Sequence, residues 1–119
     1  MVQALVRDTI KTWVDVCPLD AIAPNTGVCA WVEGQQVAIF RVAPEDDVFA
    51  LSNYDPFSKA YVLARGIVGD RNGIPKVASP IYKQNFNLIT GQCFDDETMS
   101  IPTYHVRVVE GRVQVGVGE

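Results

Sequence analysis

The side chains in this sequence that could hold a transition metal are few. The 119 residues include three cysteines and one histidine, which are Cys17, Cys29, Cys93 and His105. Structural zinc sites take their ligands from close pairs such as C-x2-C or H-x3-H, and these four residues are widely separated. An odd number of distant cysteines is also a poor disulfide framework and is typical of a reducing compartment. We therefore predict no metal site and interpret the cysteines as small hydrophobic residues of the core.

Two segments that combine polar and aromatic residues have a recognisable spacing. The first reads N-Y-D-P-F over residues 53–57, and the second reads S-P-I-Y-K-Q-N-F-N-L-I-T-G over residues 79–91. They resemble the two cluster-binding loops of the Rieske iron–sulfur domain, which have the forms N-x-C-P-H and C-P-x-H-x-x-x-F-x-L-x-x-G. In that family each loop gives one cysteine and one histidine to a [2Fe–2S] cluster. The residues shared with the family pattern are Asn53, Pro56, Pro80, Phe86, Leu88 and Gly91.

The four positions at which that family carries its cluster ligands hold other residues here. The resemblance places Asp55 and Ser79 at the cysteine positions, and Phe57 and Tyr82 at the histidine positions. A phenyl ring offers no lone pair, and the hydroxyls of serine and tyrosine are hard oxygens where the cluster needs sulfur or imidazole. A chain with one histidine also cannot provide two histidine ligands, and His105 lies in a late strand away from both loops. The sequence thus predicts a Rieske-like domain that binds no cofactor itself.

A longer run of the chain is similar to the small subunit of the assimilatory NAD(P)H-dependent nitrite reductase. The matching segments are D-P-F (55–57), V-L-A-R-G-I (62–67), V-A-S-P (77–80) and K-Q-x-F (83–86). This resemblance implies a cytoplasmic partner of a large subunit that carries FAD, an iron–sulfur cluster and sirohaem and that reduces nitrite to ammonium. It also implies that the small subunit takes no redox step, so that the isolated chain is inactive.

Two other functions remain open at this stage. One is a free-standing protein-interaction module that has kept the fold without the cluster. The other is a Rieske-type ferredoxin that carries electrons, which would require bound iron and visible absorbance from sulfur-to-iron charge transfer. The missing ligands argue against the ferredoxin, whereas the sequence separates the interaction module from a reductase subunit only poorly.

Loss of the cluster should leave a void between the two loops unless side chains fill it, because cavities are destabilising in proportion to their volume. We expect the large side chains of Phe57 and Tyr82 to pack across the former cluster site. We expect Asp55 and Ser79 to link the loops through hydroxyl, carboxylate and backbone N–H contacts.

The tips of these loops are the expected contact surface for the large subunit. The candidate residues are Arg65, Tyr82, Lys83 and Gln84. Tyrosine is enriched at interface hot spots, which favours Tyr82. For Arg65 and Lys83 the alternative is a solvated charge or a weak internal ion pair.

Short apolar runs separated by turn residues must position these loops. Runs of this length at intervals of about ten residues are typical of an all-β fold, and we predict an antiparallel β-sandwich of the Rieske type. Turn residues at 33–35, 72–73 and 110–111 separate predicted strands, and Asn72-Gly73 is a strong turn signal. The predicted strands are 28–32, 37–42, 48–51, 67–68, 75–78, 84–88, 104–109 and 113–117.

One stretch of the chain carries helical signals. Asp55 could be an N-cap, Pro56 occupies the first helical position, and Gly66 stands where a helix would end. We predict a short helix or compact loop near residues 55–66, and a single turn at 18–22. The two tryptophans, Trp13 and Trp31, are expected to be partly buried.

Composition limits the remaining classes of function. The chain has 10 Lys and Arg against 14 Asp and Glu, a formal net charge of -4 and a pI near 4.9. An acidic balance argues against a nucleic-acid partner, and no apolar run approaches the roughly 20 residues that span a bilayer. No apolar segment of a secretory signal is visible near the N-terminus, which predicts a cytoplasmic location. We expect one domain over residues 1–119, with residues 1–12 as a less ordered extension.

Overall fold

The computed structural model describes residues 12–118, so almost all of the extension predicted for residues 1–12 lies outside the described residues. Within this range the chain forms twelve β-strands and two 3₁₀ turns, Leu19–Ala21 and Leu63–Arg65. The first of these turns lies where a single turn was predicted. The strands are β1 (Thr12–Pro18), β2 (Thr26–Val32), β3 (Gln35–Val42), β4 (Asp47–Ser52), β5 (Tyr54–Asp55), β6 (Ala60–Tyr61), β7 (Ile67–Arg71), β8 (Ile74–Ala78), β9 (Asn85–Asn87), β10 (Thr103–Tyr104), β11 (Val106–Val109) and β12 (Arg112–Val117).

The strands assemble into antiparallel sheets, as the short alternating runs predict. A four-stranded sheet has the order β10-β4-β3-β2, and a three-stranded sheet has the order β1-β12-β11. A second three-stranded sheet, β7-β8-β9, and the pair β5-β6 carry the two segments that resemble cluster-binding loops. The all-β, antiparallel part of the prediction is confirmed.

The central strand β3 divides the interior into two cores. The side chains of Ala38 and Phe40 join one core, which also contains Leu63, Val77 and Phe86. Alternate residues of a strand point to opposite faces. Val37 and Ile39 therefore join the other core, with Val113 and Val115 of β12. The first core lies beneath the two loop segments and supports them.

Two-residue turns close the hairpins within the three predicted turn segments, and Gln35 of the first segment belongs to β3. Both residues of Glu33-Gly34, Asn72-Gly73 and Glu110-Gly111 have positive φ values. This is the conformation of a type I′ turn, whose twist matches that of the flanking strands. The turn at Asn72-Gly73 joins β7 to β8 and so determines the register of the strand that leads into the second loop segment.

The helical signals at residues 55–66 do not produce an α-helix. Of the two predicted alternatives, a short helix or a compact loop, the structure has the compact loop. The carboxylate of Asp55 accepts a hydrogen bond from the backbone N–H of Phe57, as an N-cap would. The chain then makes a single turn, because Lys59 adopts a left-handed φ of 60° and Tyr61 pairs back with Tyr54.

The prediction that Trp31 is partly buried is wrong, because its side chain is 70% exposed. Among residues 12–118, no helix is long and apolar enough to cross a membrane.

Candidate functional site

Two loops of similar construction meet at the candidate site. Loop A, residues 55–59, connects β5 to β6, and loop B, residues 79–83, follows β8. Each begins with a buried polar residue followed by proline, and each ends with an exposed lysine in the left-handed region, at φ 60° for Lys59 and 67° for Lys83. The lysine N–H donates to the carbonyl oxygen of the first residue of its own loop, over 2.7 Å in loop A and 3.1 Å in loop B. The two loops are therefore the same closed turn, used twice.

The carboxylate of Asp55 links loop A to loop B. Asp55 and Ser79 are both fully buried. The Ser79 hydroxyl donates to Oδ2 of Asp55, and the Ser58 hydroxyl donates to the same oxygen over 2.9 Å. Oδ1 accepts the backbone N–H of Phe57 over 2.9 Å. Asp55 and Ser79, which the resemblance aligns with cysteine positions, thus contact one another directly, and this contact was expected from the sequence.

These hydrogen bonds determine the charge of Asp55. Burial by itself raises the pKa of this carboxyl, because it penalises the charged form. The hydrogen bonds from Ser79, Phe57 and Ser58 stabilise the carboxylate and outweigh burial, so the pKa lies below its ordinary value. Asp55 is an anion at neutral pH, and its hydrogen-bond donors within residues 12–118 are all neutral groups.

The two aromatic residues at the histidine positions behave differently. The Phe57 ring packs against the core, with its centroid 6.0 Å from that of Phe86 and the planes tilted by 49°. Tyr82 is 60% exposed and fills no space between the loops, so the packing expected of it is wrong. Tyr82 is the fourth residue of loop B, and the hydrogen bond from Lys83 to Ser79 places it at the outer tip of the turn.

This donor set does not fit a [2Fe–2S] cluster. A Rieske centre needs two thiolates and two imidazoles, and the four positions provide a carboxylate, a phenyl ring and two hydroxyls. The carboxylate and the Ser79 hydroxyl are also engaged with each other. Among residues 12–118, no group of three or more His, Cys, Asp or Glu side chains is placed to hold a metal ion. Burial raises the pKa of the Cys17, Cys29 and Cys93 thiols, which disfavours the thiolate form that binds metal.

The predicted contact residues lie in loop B or next to it. Tyr82 and Lys83 are exposed, and the Lys83 ammonium donates to the carbonyl oxygen of Pro80 over 3.0 Å. Arg65 is exposed at the end of a 3₁₀ turn. Gln84 is only partly exposed, and its Oε1 atom is buried without a hydrogen-bond partner in the described part of the chain.

Tight packing brings Arg65 to the base of loop B. Ile67 pairs with Ala78 in the β7-β8 ladder. A Cβ atom on Gly66 would lie 2.4 Å from the carbonyl oxygen of Ala78, so only glycine allows this approach of the two backbones. Arg65 precedes that glycine, and Ser79 follows Ala78.

Sequence reasoning missed Lys59 and Ile81. Lys59 occupies the same place in loop A as Lys83 does in loop B, and Ile81 is 45% exposed beside Tyr82. The repeated spacing Pro-x-x-Lys at residues 56–59 and 80–83 is a signal in the sequence that could have identified Lys59.

Comparison with known proteins agrees with the geometry. A model of the Rieske-like [2Fe-2S] domain family matches residues 12–116. The nitrite reductase (NADH) small subunit of Salmonella typhimurium is 50% identical over 106 residues, which are 89% of this chain and 98% of that protein. The NMR structure of the Escherichia coli protein NirD superposes with a TM-score of 0.83 at 47% identity, over 91% of this chain and 98% of that one.

A third relative carries the same domain inside a longer protein. The nitrite reductase [NAD(P)H] large subunit of Klebsiella oxytoca is 41% identical over 106 residues, which are 89% of this chain and 11% of that protein. These matches cover nearly all of the described residues, at identities well above the level at which only the fold is shared. The chain belongs to the Rieske-like [2Fe-2S] domain family and, within it, to the nitrite reductase small subunits.

Proposed function

We propose that this chain is the non-redox small subunit of a cytoplasmic NAD(P)H-dependent nitrite reductase. It binds the large subunit and supports the reduction of nitrite to ammonium in nitrate assimilation. The flavin, the iron–sulfur cluster and the sirohaem of the enzyme reside in the large subunit, and this chain carries no cofactor of its own.

One observation carries the proposal: the chain is 50% identical to a nitrite reductase small subunit along 98% of that protein's length. The large-subunit relative from Klebsiella oxytoca adds to it, because there a segment matching this chain occupies 11% of a single longer protein. A domain that one organism carries within the large subunit is well suited to bind a large subunit as a separate chain. Such fusion replaces an encounter between two molecules with a high effective concentration.

The site chemistry supports a binding role over an electron-transfer role. The resemblance aligns Asp55 and Ser79 with the two sulfur ligands, and here these residues are hydrogen-bonded to each other. The contact surface proposed here comprises the exposed residues Arg65, Tyr82 and Lys83 and the partly exposed Gln84. Tyr82 is the central contact, because a tyrosine offers a large apolar area and a hydroxyl at a small cost in conformational entropy.

Co-expression with the large subunit tests the proposal. The large subunit is purified with and without this chain, and NAD(P)H-dependent formation of ammonium from nitrite is measured for both preparations. The chain is expected to co-purify in a defined ratio and to raise the activity or the thermal stability of the large subunit. Absence of binding together with unchanged activity would contradict the proposal and favour a free-standing interaction module.

The isolated chain provides the control for electron transfer. After expression in iron-supplemented medium, its iron content and visible spectrum are measured beside those of a Rieske ferredoxin that has all four ligands. We expect no stoichiometric iron and no charge-transfer bands in this chain. Stoichiometric iron with those bands would favour the electron carrier instead.

A further inference from the structure

Charge is distributed unevenly along this acidic chain. Between Asp47 and Asp95 the sequence has five basic residues, Lys59, Arg65, Arg71, Lys76 and Lys83. The same stretch has only two carboxylates, Asp55 and Asp70. Asp55 is fully buried, so it presents no charged surface, and Asp70 lies near the hairpin turn that joins β7 to β8, where its Oδ2 accepts the N–H of Gly73. The segment that contains both loops is therefore rich in basic residues, although the whole chain has a net charge of -4. The carboxylate of Asp95 flanks it and accepts the backbone N–H of Asn85.

Three of these cations lie close to the two loops. Lys59 and Lys83 end loops whose first residues are hydrogen-bonded to each other, and Arg65 lies at the base of loop B through the Gly66 contact. All three side chains are exposed, and in residues 12–118 none of them has a carboxylate within ion-pair distance. The other two basic residues are engaged locally, Arg71 with Asp95 and the Phe94 ring, and Lys76 with Asn85. We call Lys59, Arg65 and Lys83 the cationic loop face.

Apolar side chains are exposed beside these cations. Ile81 is 45% exposed and Tyr82 is 60% exposed, both at the tip of loop B. An exposed apolar centre with charges at its edge is the usual composition of a protein–protein interface, in which the apolar groups supply affinity and the charges supply orientation and rate. A site for a small anion would instead be expected to hold its cations partly buried and desolvated, whereas Lys59, Arg65 and Lys83 are exposed.

We propose that the cationic loop face docks on an acidic surface of the large subunit, with Ile81 and Tyr82 inserted at its centre. This inference rests on the proposed function and specifies the chemistry of its interface. The remainder of this chain is acidic, so an acidic partner surface attracts the loop end and repels the other faces. Electrostatic attraction thereby selects one orientation before contact is made.

Binding of the purified chain to the purified large subunit, measured at low and at high salt, tests the proposal. The three loop variants Lys59→Glu, Arg65→Glu and Lys83→Glu each change the net charge by the same amount. Arg107→Glu is the charge-matched control, because Arg107 is an exposed arginine on β11, in a different sheet. Its guanidinium stacks over Trp13, so thermal unfolding of this variant is measured as well, to separate lost stability from lost binding. We expect each loop variant to weaken binding by about 3- to 10-fold and the triple variant by about 100-fold, with the control close to wild type. The wild-type affinity should fall as salt rises, and the triple variant should lose this dependence.

The outcomes separate this inference from the function on which it rests. Tight binding that is insensitive to salt and to the three loop reversals would overturn the cationic docking and leave the subunit function intact. Failure of the wild-type chain to bind the large subunit at any salt concentration would overturn both. Sodium nitrite is added to the isolated chain as a probe for a small-anion site. Saturable binding of nitrite that the Lys59→Glu and Lys83→Glu variants abolish would also overturn the proposal, because it would give the cations a different ligand.

Discussion

Loop A and loop B are built alike and are used in opposite ways. Both start with a buried polar residue and proline, and both close with a left-handed lysine whose N–H returns to the first carbonyl. The third residue is Phe57 in loop A, where it packs on Phe86, and Ile81 in loop B, where it is 45% exposed. The backbone conformation of the turn is therefore the same whether the third side chain is buried or exposed. The identity of that side chain decides whether the loop packs on the core or presents an exposed surface.

The hydrogen bond between Asp55 and Ser79 joins these two unlike loops at their matching first residues. The resemblance aligns these two residues with positions that the metal cluster links in the Rieske family. Here a buried anion and a hydroxyl make the link, and the ring of Phe57 in loop A packs against the core. Substitutions in loop A should accordingly change the free energy of unfolding, and substitutions at the tip of loop B should change binding.

Removing the Asp55 carboxylate should have the largest effect. In Asp55→Ala the hydroxyls of Ser58 and Ser79 and the N–H of Phe57 all lose their acceptor inside the protein. We expect the free energy of unfolding to fall by about 3 to 5 kcal/mol, as is usual when one partner of a buried charged network is deleted. Denaturant unfolding of both proteins measures this. A loss below about 1 kcal/mol would mean that the carboxylate does not hold the loops together.

The same carboxylate predicts a pH dependence with a definite sign. The pKa of Asp55 is lowered in the folded protein from its ordinary value of 3.8. The stability it contributes is therefore complete above the unfolded pKa and is lost as pH falls through the folded pKa. Asp55→Asn should be less stable than wild type at neutral pH, and the difference should shrink as the pH is lowered from about 5 through that folded pKa. A difference that stays constant with pH would contradict the assignment.

Phe57→Ala should have the next largest effect. Phe57 is only partly buried, so we expect a loss of about 2 to 3 kcal/mol, below the 3 to 5 typical of fully buried phenylalanine. The matched control is Ile81→Ala, which removes the equivalent side chain of loop B and should cost less than about 0.5 kcal/mol. Equal losses for the two variants, measured by thermal unfolding, would remove the distinction between the loops.

The parts of the fold that depend on local chemistry could be predicted from the sequence. The Asn72-Gly73 turn is the clearest case, because asparagine and glycine both accept the positive φ values that a type I′ turn requires. At Glu33-Gly34 and Glu110-Gly111 only the glycine favours this conformation. The mismatch of Asp55 and Phe57 with the cluster-binding pattern is also visible in the sequence, because it requires only the identity of these two residues.

The parts that depend on distant contacts could not be predicted. Asp55 and Pro56 are typical of the start of a helix, and Asp55 does cap the backbone N–H of Phe57. The chain nevertheless turns back at Lys59, because β6 pairs with β5. The exposure of Tyr82 was missed for a related reason. The core behind the loops already contains the rings of Phe57 and Phe86, which pack on each other. The spacing of these residues in the sequence does not show this contact.

Removing the Ser79 hydroxyl should have a smaller effect than removing either loop A side chain. Ser79→Ala deletes one donor to Asp55 Oδ2 and should cost about 1.5 kcal/mol. Ser58→Ala is the matched control, since Ser58 donates to the same oxygen from within loop A. Only Ser79→Ala should raise the rate of amide hydrogen exchange at Lys83, whose N–H closes loop B. Equal exchange rates in the two variants would show that the bond does not couple the loops.

Tyr82→Ala should change the free energy of unfolding least and binding most. A side chain that is 60% exposed makes few intramolecular contacts, so we expect unfolding to change by less than about 0.5 kcal/mol. If Tyr82 is the central contact for the large subunit, the same variant should weaken that complex by about 30-fold or more, a loss of at least 2 kcal/mol. Val108→Ala, at an exposed position on β11, should leave both quantities unchanged. A Tyr82→Ala protein that binds normally would show that loop B presents its tip to solvent and not to the partner. The exposed shape of this loop would then have no part in binding the large subunit.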